Sequence, residues 1–109
     1  MKKTFVIDID GTICSDSFGE YEKATPIDSR IELINRLFQE GNQIFFFTAR
    51  GMGSSGNDVE LAKAKWFDFT KRQLEEWGVS YHGLFLGKPA ADQYIDDKGI
   101  SPLVFFEGQ

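Results

Sequence analysis

Short unbroken apolar runs alternate along this chain with longer stretches whose apolar residues recur at helical spacing. Residues 5–9 (FVIDI) are rich in β-branched and aromatic side chains and stop at Asp-Gly-Thr, a turn signal, which predicts a buried first strand. Residues 13–24 mix Gly, Ser, Asp and Glu without a period and read as a loop with a small flap. Thr25 then offers an N-cap, Pro26 a first helical residue and Asp28 a first-turn acid, while Ile27, Ile31, Ile34, Leu37 and Phe38 form one stripe that Gly41 ends. Residues 43–47 (QIFFF), closed by Thr48, lack alternation, as expected of a strand buried on both faces of a parallel sheet. The stretch 51–58 (GMGSSGND) reads as a mobile loop, with Asn57 or Asp58 capping a long helix. In that helix Val59, Ala62, Trp66, Phe69, Leu74 and Trp77 recur near helical spacing before Gly78 stops it, and both Trp are assigned to the core.

Residues 84–86 make a third strand, Gly87-Lys88-Pro89 breaks it, and residues 93–95 make a fourth that ends at Asp96-Asp97. The order strand, helix, strand, helix, strand, strand predicts an α/β layer fold with a mostly parallel sheet and right-handed crossovers. The link from Lys88 to the fourth strand is shorter than the roughly twelve or more residues of an ordinary crossover, so a single helical turn has to serve. Ser101 and Pro102 open the last segment as N-cap and first helical residue, with a strand as the alternative.

Composition narrows the setting. A chain of 109 residues fits one domain, 1–109, and 41% hydrophobic residues with eleven Phe and two Trp supply a core without disulfides or a structural metal. Cys14 has no partner in the chain, which points to a reduced, intracellular setting. The first apolar run meets Asp8 and Asp10 too soon for a signal peptide or membrane span, so a cytoplasmic location is expected. A net charge of −5 disfavours nucleic acid as a partner, because phosphate-backbone binders cluster Lys and Arg.

In an open parallel sheet, ligands bind beyond the carboxyl ends of the strands. The first predicted strand delivers Asp8 and Asp10 to that rim, the second Thr48, the third Lys88, and the fourth Asp96 and Asp97. Each alone has a bland explanation as a turn, cap or surface residue; their joint placement does not. The set Asp8-Ile9-Asp10-Gly11-Thr12, Thr48, Lys88 and Asp96-Asp97, in that order, resembles the four motifs of the haloacid dehalogenase (HAD) superfamily across residues 5–97.

The resemblance implies a Rossmann-like three-layer sandwich and a phosphohydrolase. Asp8 would attack phosphorus and form an aspartyl-phosphate, and Asp10 would act as general acid and then as base. Family phosphatases carry Asp at the second position, so Asp10 points to phosphate-ester hydrolysis. Thr48 and Lys88 would hold the transferring oxygens, and the turn of Gly11 and Thr12 would add main-chain N–H donors. Three carboxylates facing a phosphate call for a cation, and oxygen ligands select Mg²⁺, bound by Asp8, the carbonyl of Asp10, and Asp96 or Asp97. Arg50 is a candidate substrate contact, weighed against a solvated surface Arg; His82 and the pair Ser54 and Ser55 are read as structural.

Neither residues 13–24 nor 49–83 leave room for a cap domain, so a capless HAD core is expected, similar to small phosphatases of capsule or polysaccharide biosynthesis. The leading substrate class is a small phosphorylated metabolite such as a sugar phosphate. The alternatives are a macromolecular substrate, whether a nucleic-acid 3′-phosphate or a phosphoprotein, and a non-catalytic binding module on the same scaffold. An apolar face on the long helix, including Phe67, is a route to a homo-oligomer.

Overall fold

The computed structural model describes residues 2–108. Three parallel strands, β1 (Thr4–Ile7), β2 (Gln43–Thr48) and β3 (Gly83–Leu86), form a sheet in the order β1-β2-β3. Helix α1 (Asp28–Gln39) connects the first pair, α2 (Val59–Glu76) the second, and α3 (Pro102–Glu107) closes the chain, with a 3-10 turn at Tyr21–Lys23. The register aligns Ile7 with Phe46 and Phe46 with Leu84, so the rows of one sheet face are apolar until Thr48 at the end of β2.

That face holds the core. Ile7, Ile44 and Phe46 pack with Ile31, Ile34 and Leu37 of α1 and Leu74 of α2, all buried. Both connections step one strand in the same direction, and right-handed crossovers then place α1 and α2 on the same side of the sheet. The opposite face is only half covered: Phe45 and Phe47 are half-buried, while Val6 and Phe85 are 66% and 55% exposed. The unbroken apolar run of β2 predicted burial on both faces; its own burial alternates because no described helix packs on that second face.

Helix α1 starts later than its sequence suggests. Ile27, not Thr25, is its N-cap and makes no side-chain cap bond. Thr25 is spent on the preceding loop, where its N–H donates to Ser15 Oγ and its carbonyl accepts from the Ser15 N–H, while Pro26 bridges to Cys14. Its end is as expected: Gly41 takes φ +95° and donates to the Phe38 carbonyl. In α2 the Asp58 carboxylate caps the Leu61 N–H, and Trp66 and Trp77 are half-buried against Tyr21 and the core respectively. His82 stacks on Phe38, and its Nδ1 accepts from the Ile44 N–H.

The last stretch departs most. Residues 93–95 form no strand, residues 89–101 are all exposed, and β1 keeps a free edge. The terminal segment is a helix, capped as expected by Ser101, whose Oγ accepts from the Val104 N–H; it returns to β1, where Phe105 meets Phe5. No helix among the described residues is long and apolar enough to cross a membrane.

Candidate active site

The first two strands and the loop after β3 converge on one polar pocket of about 200 Å³, lined by Asp8, Asp10, Asp16, Tyr21, Thr48, Arg50, Lys88 and Tyr94 among others. Asp8 follows the last residue of β1, where the chain must turn. Gly11 makes that turn at φ +78°, a region that disfavours any side chain, and its N–H donates to the Cys14 carbonyl. The Thr12 N–H donates to the Ile9 carbonyl, and Arg30 of α1 donates to the Thr12 carbonyl at 2.8 Å. The turn is therefore tied down from inside. The N–H groups of Gly11 and Thr12, expected to face a phosphate, are committed to these bonds, and neither residue lines the pocket; Thr12 instead donates its hydroxyl to Asp8 Oδ2 at 3.4 Å.

The two carboxylates of this turn sit in different surroundings. Asp8 has a side chain 35% exposed, with Lys88 Nζ 3.9 Å from Oδ1. Burial pushes its carboxyl above the usual carboxylate range; the Lys88 ammonium, the Ile9 N–H and the Thr12 hydroxyl pull it back, while the charge of Asp10 adds to the rise. Asp10 has both oxygens on Arg50, with Nε to Oδ2 at 2.9 Å and Nη2 to Oδ1 at 3.0 Å. Such a two-pronged pair fixes the plane of the carboxylate as well as its position.

Arg50, weighed as a substrate contact or a solvated surface residue, lines the pocket and is not solvated. It is 1% exposed, its third nitrogen donates to Thr70 Oγ1 of α2 at 3.2 Å, and its guanidinium lies 4.8 Å from the centre of the Tyr21 ring. Each of its three guanidinium nitrogens has a partner inside the protein, so Arg50 is a strut that orients Asp10. Gly51 permits this arrangement: at φ +78°, a Cβ there would meet Trp66 at 2.7 Å and Ala62 at 3.1 Å, so only glycine lets the loop press on α2. The Gly51 N–H in turn donates to the Tyr21 hydroxyl.

Thr48, 1% exposed, accepts the Arg50 N–H on its hydroxyl oxygen, which leaves the hydroxyl proton free to be donated. Lys88 is anchored through its N–H to the Thr48 carbonyl, and its ammonium rests 4.2 Å from the centre of the Tyr94 ring. Cys14 lies behind Asp10, buried, with its thiol pushed up to about 12, first by burial and then by the charge of Asp10. It is a structural thiol at neutral pH.

Asp96 and Asp97 are not brought to the pocket. Both are exposed, and Asp96 Oδ1 is taken up by the N–H groups of Lys98 and Gly99 in a local turn. Among the described residues no three Asp, Glu, His or Cys side chains group closely enough to hold a metal ion. Missing from the sequence reading were Tyr21, Tyr94 and Thr70. Tyr21 and Tyr94 sit in stretches without periodicity, but Thr70 falls four residues after Trp66 and four before Leu74, so the helical stripe itself marks it as inward-facing.

No protein-family model and no curated protein matches this chain. Among solved structures, a target protein from Vibrio cholerae is 28% identical with a TM-score of 0.87, over 97% of this chain and 88% of that one. A chain of the Pnkp1/Rnl/Hen1 complex is 16% identical at TM-score 0.58, over 88% of this chain and 31% of that one. The D,D-heptose 1.7-bisphosphate phosphatase from B. bronchiseptica, solved with magnesium and phosphate, is 22% identical at TM-score 0.55, over 84% of this chain and 52% of that one. These likenesses carry the fold, a small α/β, Rossmann-like parallel sheet with helices.

Proposed function

We propose that this chain is a phosphatase of the HAD type that hydrolyses a small phosphorylated metabolite, such as a sugar phosphate, through Asp8. One observation carries the reading: Asp8, Thr48 and Lys88, from three separate strands, meet at one rim around a pocket of about 200 Å³, with Asp8 and Lys88 3.9 Å apart. An ammonium beside a carboxylate is what a nucleophile needs if it is to approach a phosphate dianion without repulsion.

In the first step an oxygen of Asp8 attacks phosphorus, the bond to the ester oxygen breaks, and the departing alkoxide takes a proton that Asp10 has first picked up from solvent in exchange for one of its two Arg50 contacts. In the second, water attacks phosphorus, gives its proton to Asp10, and the bond to Asp8 breaks, releasing phosphate. Thr48 donates its free hydroxyl proton to a phosphoryl oxygen and Lys88 neutralises another. Arg50 holds the plane of Asp10 so that the proton is delivered along one direction. The pocket is small and polar, which favours a phosphoryl group with a compact remainder, and a neighbour of the same fold is itself a sugar bisphosphate phosphatase. Selectivity in a capless enzyme falls to the flap of Asp16, Gly19 and Tyr21 and to Tyr94, which line the pocket.

Magnesium is the cation such chemistry calls for. A single chain offers it the carboxylate of Asp8 and the carbonyl of Asp10; the Asp10 carboxylate is held by Arg50, and Asp96 and Asp97 stand apart. Asp8 and the Asp10 carbonyl would hold the ion, with waters and the substrate phosphate supplying the remaining oxygens.

Phosphate release from a panel of sugar phosphates, nucleotides, a phosphopeptide and a 3′-phosphorylated oligonucleotide tests the reading, with Asp8→Asn beside the unaltered chain. Release from one small class, reduced at least about a thousandfold by Asp8→Asn, is the expected result. Release from the oligonucleotide or phosphopeptide alone would move the assignment to a macromolecular substrate, and no release above Asp8→Asn on any compound would end the phosphatase reading.

A further inference from the structure

The lining of the pocket holds more carboxylates than cations. Arg50 and Lys88 supply its positive charge, against the carboxylates of Asp8, Asp10 and Asp16. Arg50 is spent, because it is buried and both oxygens of Asp10 hold it. Lys88 faces Asp8 at 3.9 Å. When a phosphate dianion joins Asp8, the charge of Lys88 and of a divalent cation balances the two of them. No cationic side chain of the lining is left to receive a second anionic group.

Asp16 is the carboxylate left over. It belongs to the flap with Gly19 and Tyr21, whereas Asp8, Thr48 and Lys88 stand at strand ends, so the part of a substrate beyond its phosphoryl group reaches the flap side. Asp16 Oδ1 accepts the Phe18 N–H at 3.0 Å, which holds the carboxylate on the loop. Among the described residues Oδ2 has no partner, and no Lys or Arg lies within ion-pair distance of it. Asp16 is exposed and so carries its charge at the mouth. An unpaired carboxylate there accepts a hydrogen bond from a hydroxyl and repels a carboxylate or a second phosphate, which a pocket of about 200 Å³ keeps close to it. Tyr21 supplies the complementary half. Its oxygen accepts the Gly51 N–H, which leaves its hydroxyl proton for donation to the same kind of group.

We infer that the substrate is a monophosphate whose remainder bears hydroxyl groups and no second anionic group, and that Asp16 sets this choice. The choice rests on the phosphatase reading and narrows it: polyol and neutral sugar monophosphates are taken, while sugar-acid phosphates and bisphosphates are turned away. Attack by Asp8 is common to all of these compounds, so the discrimination lies in how the remainder is held and appears in kcat/KM.

Matched substrates test it. A sugar-alcohol monophosphate and the aldonic-acid monophosphate of the same chain length differ by a terminal hydroxymethyl against a carboxylate. Over a short series of such pairs, the unaltered chain should favour the neutral member by about tenfold in kcat/KM, with a gap that narrows as salt is added. Asp16→Asn, which keeps the shape and the acceptor for the Phe18 N–H, should bring the two members within about threefold, and Asp16→Lys should reverse their order. A substitution that lowers both members in the same proportion, as a purely structural role would, leaves the ratio in place and overturns the part given to Asp16. Equal release from both members by the unaltered chain, a preference for the acid, or release only from other classes of phosphate ester would overturn the choice and leave the phosphatase reading standing. If no phosphate ester is hydrolysed above the Asp8→Asn background, both fall.

Discussion

Two regions of this molecule hold their polar side chains by different means. Between Thr4 and Leu86 every catalytic candidate is attached to a buried element: Asp8 follows β1, whose Ile7 packs in the core, and Thr48 and Arg50 are each 1% exposed. From residue 89 to 101 the chain has no buried residue, and Asp96 and Asp97 hang in a local turn. Packing fixes side-chain positions to fractions of an ångström, whereas an exposed loop does not. Asp8, Asp10 and Thr48 are therefore positioned by packed elements, whereas Asp96 and Asp97 are not.

Substitutions in the two regions should differ accordingly. Arg50→Met removes one partner of a buried ion pair and strands Asp10 and Thr70, so it should cost about 4 kcal/mol in urea unfolding. Leu74→Ala empties a fully buried position between α2 and the sheet and should cost about 3 kcal/mol by the same measure. Asp92→Ser, in the exposed stretch, should change stability by less than about 0.5 kcal/mol. Equal costs at Asp92 and Leu74 would erase the distinction between the regions.

Asp8 sharpens the contrast from inside the packed region. Folding raises its carboxyl pKa, so the ionised form favours the unfolded chain. The stability tied to its neutral form is fully present below the unfolded value of about 3.9 and is lost as pH rises through the folded value. Asp8→Asn, neutral throughout, should therefore melt above the unaltered chain near neutral pH, and the two should converge as pH falls below about 4. A variant that melts lower at neutral pH would show that the Lys88 contact outweighs burial.

Much of this was legible because burial leaves a period in the sequence. The run QIFFF, the stripe Ile31, Ile34, Leu37 and the caps at Asp58, Gly41 and Ser101 lead to β2, α1, α2 and α3 within a few residues. The rim positions of Asp8, Thr48 and Lys88 follow from strand ends alone. What stayed hidden depends on contacts between distant segments. Arg50 follows Thr48 by two residues and looks like a loop residue; only its meeting with Asp10, forty residues earlier, and Thr70, twenty later, makes it a buried strut. Thr25 has the chemistry of a cap, but pairing with Ser15 claims its main chain first. Residues 93–95 have the composition of a strand, and composition cannot say whether an edge to pair with lies within reach of a five-residue link.

The central claim is that Asp8 carries the phosphoryl group. Acid-quenching the chain during turnover of a radiolabelled sugar phosphate should leave hydroxylamine-sensitive label on the peptide that contains Asp8, and none on Asp8→Asn. Phosphate release that continues with no label on that peptide, or at an unchanged rate in Asp8→Asn, would contradict it.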